Sequence, residues 1–248
     1  MLKLRRHRNT ILLLACAAVI SCGCDRQSEP APTSADQVSL ADPDAEAGLQ
    51  GAIPFSAAQI FIEYNSTAND AGIQVFLDAE DWKRVSIHDD SGKAILDIDT
   101  GGGMRELGLT ELRFEGAEPE PSEVLDAFPA GEYSFRGVTI ERQRMVSSAF
   151  LSHDLPDAPN FTPSQGEVVD PDDAVIEWDP IAGVDRYQVI VETDANHLSL
   201  EVSLAPSTTS LRVPPTFLVP NTEYKAEVLA IAPSGNRTIA EGTFVTGP

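Results

Sequence analysis

Downstream of residue 55 the chain alternates apolar and polar positions over short runs. Ala58-Gln59-Ile60-Phe61-Ile62-Glu63-Tyr64, Ile73-Gln74-Val75-Phe76-Leu77 and Val85-Ser86-Ile87 each repeat with period two, the pattern of strands that bury one face. Asp89-Asp90-Ser91-Gly92 is a turn signal that leads into Lys93–Asp97, so a hairpin is predicted there. Leu109–Phe114 reads as a further strand. Pro121–Phe128 reads as a short helix with Ser122 as its N-cap and Glu123 in the first turn. Phe128–Phe135 begins another strand, and His153-Asp154-Leu155-Pro156 closes this stretch.

From Pro159 onward, apolar stretches recur between turn residues at the spacing of an all-β sandwich. Ala174–Trp178 ends at Asp179-Pro180. Tyr187–Glu192 places Tyr187, Val189 and Val191 on one face. Leu211–Val213, Tyr224–Ile231 and Thr238–Thr246 follow. The 18 prolines and 17 glycines favour many short strands. The expected fold class is all-β: two tandem β-sandwich modules, residues 55–156 and 157–248, each of a size to bury its own core.

The first 54 residues have a different character. Lys3, Arg5, Arg6 and Arg8 precede the apolar run Ile11–Ile20, whose ten residues are too few to span a bilayer but suit a secretory signal. Val19-Ile20-Ser21-Cys22 then resembles the bacterial lipobox. That resemblance implies removal of residues 1–21 and a lipid on the Cys22 thiol. Cys24, which follows the small residue Gly23, is the competing register, but it would place Ser21 where an aliphatic residue is expected. No cysteine follows Cys24, so no disulfide framework exists. Residues 22–54 hold Pro30, Pro32 and Pro43 among many Ala, Ser, Asp and Glu, the composition of a disordered tether. The expected location is the bacterial cell envelope, the outer membrane being favoured by Gly23.

Several residues of the second module resemble the signatures of fibronectin type III domains. Trp178 matches the core tryptophan of that family's second strand, and Tyr187-Gln188-Val189 its third-strand pattern. Leu218-Val219-Pro220-Asn221-Thr222-Glu223-Tyr224 is similar to the family's Leu-x-Pro-x-Thr-x-Tyr segment. The resemblance implies that Tyr224 forms a tyrosine corner, its hydroxyl bonding backbone upstream. It also implies that Ser234-Gly235-Asn236 turns between the last two strands. In the first module Pro129-Ala130-Gly131-Glu132-Tyr133 loosely resembles a strand entry of bacterial immunoglobulin-like modules.

Charge narrows the partners. The formal net charge is −22, and beyond the four cations of the first ten positions 13 basic residues face 39 acidic ones, a balance of −26. Such a field repels phosphate backbones, so no nucleic-acid partner is expected. Weak divalent-cation binding is the chemistry it permits. Asn65, Thr67, Asn69 and Asp70 gather oxygens in one loop, as do Asp170, Asp172 and Asp173, although turn chemistry explains both sets. Asp97-Ile98-Asp99-Thr100-Gly101 opens like a calcium loop but meets Gly108 where a bidentate glutamate belongs. His88, His153 and His197 lack zinc spacing, and no Gly-x-Ser-x-Gly motif occurs. No metal site, cofactor or catalytic residue is therefore expected, and Asn65, Asn160 and Asn236, which head Asn-x-Thr sequons, carry little weight.

The function expected from these features is a non-catalytic binding or adhesion module. It would be membrane-anchored through Cys22 and would recognise an envelope protein or a glycan. Two alternatives remain open: a structural or assembly lipoprotein of an envelope machine, and an accessory subunit of a hydrolase or a cryptic hydrolase.

Overall fold

Nineteen residues in a single strand set the layout of the first module. The computed structural model describes residues 51–195 and 197–248, so the expected leader, Cys22 and nearly all of the expected tether lie outside the described residues. Strand β1 (Ala57–Asn65) pairs antiparallel with the first half of β2 (Asp70–His88), from Ala57↔Asp78 to Asn65↔Asp70. The other side of that half takes β4 (Leu109–Glu115). The second half of β2 pairs with β3 (Ala94–Asp99) and β5 (Gly131–Thr139), and β5 with β6 (Arg144–Leu151). Register shifts flank Trp82, where β2 exchanges β1 and β4 as neighbours for β3 and β5. The alternating runs at Ile73–Leu77 and Val85–Ile87 are thus one strand serving both layers. A continuous strand of this length bends at an irregularity to keep its apolar face on the core.

Trp82, Ile62, Leu77, Ile87, Tyr133, Phe135 and Met145 fill the space between the layers at 0–1 % exposure. Burying each such side chain contributes roughly 1.5–3 kcal/mol. The module begins before residue 55: Ile53 bridges Met145, and the Phe55 amide donates to Ser147 Oγ at 3.0 Å. The predicted hairpin is present, with Asp89 Oδ1 accepting from the Ser91 and Lys93 amides. The run after β3 forms a short helix, α1 (Gly102–Leu107), that the apolar pattern did not announce because it buries no residue. Helix α1 ends at Gly108, whose φ of 80° and close approach to Asp81 exclude a side chain. The second helix, α2 (Pro121–Ala127), has its N-cap two residues earlier than expected: Glu120, not Ser122, takes that position, and no side chain caps it. Proline lacks an N–H and has a preset φ, so Pro121 takes the first helical position.

The second module is a sandwich of three strands on four. One sheet is β7 (Phe161–Thr162), β9 (Val175–Trp178) and β12 (Ser210–Arg212), with β9 in the middle. The other runs β11 (Leu198–Leu204), β10 (Arg186–Thr193), β13 (Glu223–Ile231), β14 (Arg237–Thr246). The short β8 (Glu167–Val169) lies parallel to the end of β14. Tyr187, Val189 and Val191 share the buried face as expected. Trp178 packs on Tyr187 at 5.4 Å between centroids, and Tyr224 stacks on Phe244 at 5.6 Å. The tyrosine corner is formed: Tyr224 Oη accepts the Val219 amide at 2.8 Å and donates to the Phe217 carbonyl at 3.3 Å. The chain is therefore all-β, with two sandwiches in tandem.

Candidate functional site: the seam between the modules

The two sandwiches are joined by sheet as well as by chain. β1 pairs parallel with β14, Glu63↔Arg237 through Asn65↔Ile239, so one sheet of eleven strands runs through both modules. Parallel pairing of strands so distant in sequence leaves no local signature in either strand.

Asn236 sits at the centre of the seam. It lies in the turn before β14, where Gly235 adopts a φ of 92° and packs its backbone against Phe61. Asn236 is 1 % exposed. Its Oδ1 accepts the Ile62 amide of β1 at 2.8 Å, and its Nδ2 donates to the carbonyls of Ser152 and Asp154, each at 2.8 Å. Thr238 Oγ1 donates to the Pro156 carbonyl at 2.7 Å. Beside them Ser66 donates from both its amide and its hydroxyl to the Ile239 carbonyl, and the Glu241 amide donates to Thr67 Oγ1 at 2.9 Å. Each side chain here satisfies backbone left open where β6, β1 and the connecting segment meet β14. The expected turn at Ser234-Gly235-Asn236 is present, but its asparagine is also a buried bridge.

Charge crosses the same seam. The Arg237 guanidinium lies over the Phe61 ring at 4.2 Å, and its Nη1 is 4.0 Å from Glu63 Oε2. Burial pushes the pKa of Arg237 below its usual range, while Glu63 opposes the shift. Glu63, Glu115 and Glu118 bring one carboxylate oxygen each within 4.8 Å of one another. Three such oxygens are hard-cation ligands in kind, although a guanidinium already stands on Glu63. Glu63 lies about 50 positions before Glu115 and Glu118 in the chain, so spacing rules had no means of finding the group.

The loops with oxygen ligands prove to be turns. Asn65 Oδ1 accepts the Thr67 and Ala68 amides at 3.0 and 3.1 Å, and Asn69 Nδ2 donates to Glu120 Oε2 at 2.9 Å. Asp170 Oδ1 accepts the Asp172 amide at 2.9 Å, and Asp173 pairs with Arg212. Asp97 pairs with Arg84 through two hydrogen bonds, which hold its carboxyl below the usual range, and Asp99 pairs with Arg105. His153 Nε2 sits 2.8 Å from the Phe128 carbonyl, far in sequence from His88 in β2 and from His197 in the turn before β11. The site predicted at Cys22 lies outside the described residues. Among the described residues no helix is long and apolar enough to cross a membrane.

No protein-family model and no curated protein sequence matches the chain. Solved structures to which it is similar include fibronectin type III proteins. A two-domain fibronectin type III segment of chicken tenascin is 14 % identical over 76 % of this chain and 97 % of that one, with a TM-score of 0.30. The FN1–FN3 domains of chicken CNTN1 are 12 % identical over 80 % and 69 %, at 0.33. An Fn3-like protein from Clostridium thermocellum is 21 % identical over 37 % and 97 %, at 0.27. These are likenesses; the strand order and register described above define the fold.

Proposed function

We propose that this chain is a lipid-anchored lipoprotein of the bacterial envelope that presents a two-module, non-catalytic binding body for a protein or glycan partner. The observation that carries this reading is the seam. Its convergent polar side chains, Asn236, Thr238, Ser66 and Thr67, are all engaged with backbone, and they join the two sandwiches into one sheet. Polar groups spent in this way hold a scaffold in shape and leave recognition to loops and strand edges. The N-terminal pattern supplies the anchor: Cys22 in the lipobox register, then an acidic, proline-bearing tether that gives the body a flexible-chain reach of roughly 30 Å. Sorting to the outer membrane follows from Gly23 by the same resemblance.

Two measurements test the reading. Metabolic labelling with a fatty acid should mark the wild-type chain and not Cys22→Ala, which should also fail to be processed or leave the membrane. A panel of envelope polysaccharides and envelope extracts should yield a ligand for the body, and turnover of a glycan or peptide bond in that panel would replace the non-catalytic reading with the hydrolase one.

A further inference from the structure

We propose that the pairing of β1 with β14 is a load-bearing joint: tension that enters before β1 and leaves beyond β14 crosses it in shear, and while it holds the two modules stay together. The two strands run in the same direction and overlap only at their ends. The overlap takes Glu63–Asn65 at the end of β1 and Arg237–Ile239 at the start of β14. From there β1 leads back to Ala57 and β14 leads on to Thr246, in opposite directions along one axis. A pull at the far end of each strand therefore slides one along the other and loads every bond of the overlap at once. Were the strands antiparallel, the two pulled ends would lie together and the bonds would open one after another.

Side chains lengthen the joint beyond its paired residues. At its start the Ile62 amide donates to Asn236 Oδ1 at 2.8 Å, in a place where both residues are buried. At its far end Ser66 donates its amide and its hydroxyl to the Ile239 carbonyl at 2.8 and 2.7 Å, and Thr67 Oγ1 accepts the Glu241 amide at 2.9 Å. The Arg237 guanidinium on the Phe61 ring spans it from β14 to β1. The covalent connection between the modules takes another route, from Leu151 at the end of β6 to Phe161 at the start of β7. It is folded back beside the joint, where Asn236 and Thr238 hold the carbonyls of Ser152, Asp154 and Pro156. It takes up the load only once the joint opens, and then extends to roughly 35 Å at most. Each module behind the joint meets the same pull with parallel backbone of its own, Ile53 along β6 and β8 along β14.

The joint goes beyond the anchored binding role. An anchor before β1 and a partner on the second module would load it in this direction, but it needs neither, so a failure of the Cys22 labelling leaves it standing. Single-molecule force spectroscopy tests it on the full chain, held by its N-terminus and by a tag after Pro248. The expected record is a short first step of at most about 35 Å, followed by two long steps as the modules unfold separately. Asn236→Ala should raise the rate of the first step at constant load about tenfold, the effect of one buried hydrogen bond on a forced opening. Thr67→Ala, at an exposed position, should raise it less, and both variants should leave the long steps unchanged. Handles moved to Glu111 on β4 and Ser199 on β11 pull across the strands instead of along them. They are introduced as Glu111→Cys and Ser199→Cys in a chain whose Cys16, Cys22 and Cys24 are replaced by serine, and the joint should then open at lower force. A record without the short first step, a first step indifferent to both variants, or an equal force in the two directions would each overturn the proposal.

Discussion

Asn236→Ala removes the bridge of the seam and exposes its contribution. The Ile62 amide loses its acceptor in a place where Ile62 itself is fully buried. Leaving one buried donor unsatisfied costs about 1–3 kcal/mol. The Ser152 and Asp154 carbonyls lose a donor each, but those residues are half-buried and exposed, so water can replace it and the loss is nearer 0.5–1 kcal/mol apiece, by the order of a net hydrogen bond. The sum is about 2–5 kcal/mol, or roughly 4–20 °C in melting temperature for a body of this size. The chain provides its own assay. It has two tryptophans, Trp82 buried in the first core and Trp178 in the second. With Trp178→Phe or Trp82→Phe as background, fluorescence in a urea titration follows one module at a time. In the wild type both reporters should move together, and in Asn236→Ala they should separate as the modules uncouple. Asn236→Asp sharpens the test, because Oδ1 still accepts from Ile62 while a carboxylate oxygen now faces two carbonyls. The folded state then disfavours the ionised acid, raising its folded pKa, so the variant's stability should be greatest below the unfolded pKa and fall as pH rises through the folded one. A loss below about 0.5 kcal/mol in Asn236→Ala, or wild-type reporters that already melt apart, would refute the bridging account.

Further outcomes follow from the same structure. Tyr224→Phe strips the Val219 amide of its acceptor and should cost the second module about 1–3 kcal/mol, read as a shift of the Trp178 transition with little change at Trp82. The Tyr133 hydroxyl donates to the Pro129 carbonyl, and burial, with Asp89 and Asp90 nearby, pushes its pKa up to about 12. A raised folded pKa favours the neutral phenol in the folded state, so stability should be intact below pH 10 and decline between about pH 10 and 12. Tyr133→Phe should flatten that part of an alkaline denaturation curve. Calcium and magnesium should each raise the melting temperature slightly and alike, since a site occupied to half contributes only about 0.4 kcal/mol. A large calcium-specific rise abolished by Asp172→Asn with Asp173→Asn would reveal a ligand set that the turn hydrogen bonds conceal.

Period-two alternation sufficed to place most of the strands and much of both cores, because a strand's two faces are a local property of successive residues. Tyr187, Val189 and Val191 were legible in that way, whereas the Tyr224 corner was implied by the resemblance of Leu218–Tyr224 to the fibronectin type III signature, a motif that is local because the corner is built within a few residues of the tyrosine. What depended on the tertiary structure was every feature made of distant partners. The two runs of β2 merge because strands on both sides demand one continuous backbone. Pro121 displaces Ser122 from the start of α2 because an N-cap is decided by where the first helical turn actually begins. Asn236 looked like an ordinary turn residue, and only the parallel approach of β1 to β14 turns its amide into the link between modules. The grouping of Glu63, Glu115 and Glu118 has the same origin. Alternation records which face of a strand is dry, but it carries no information about which other strand lies alongside; that is settled by the closing of two cores against each other.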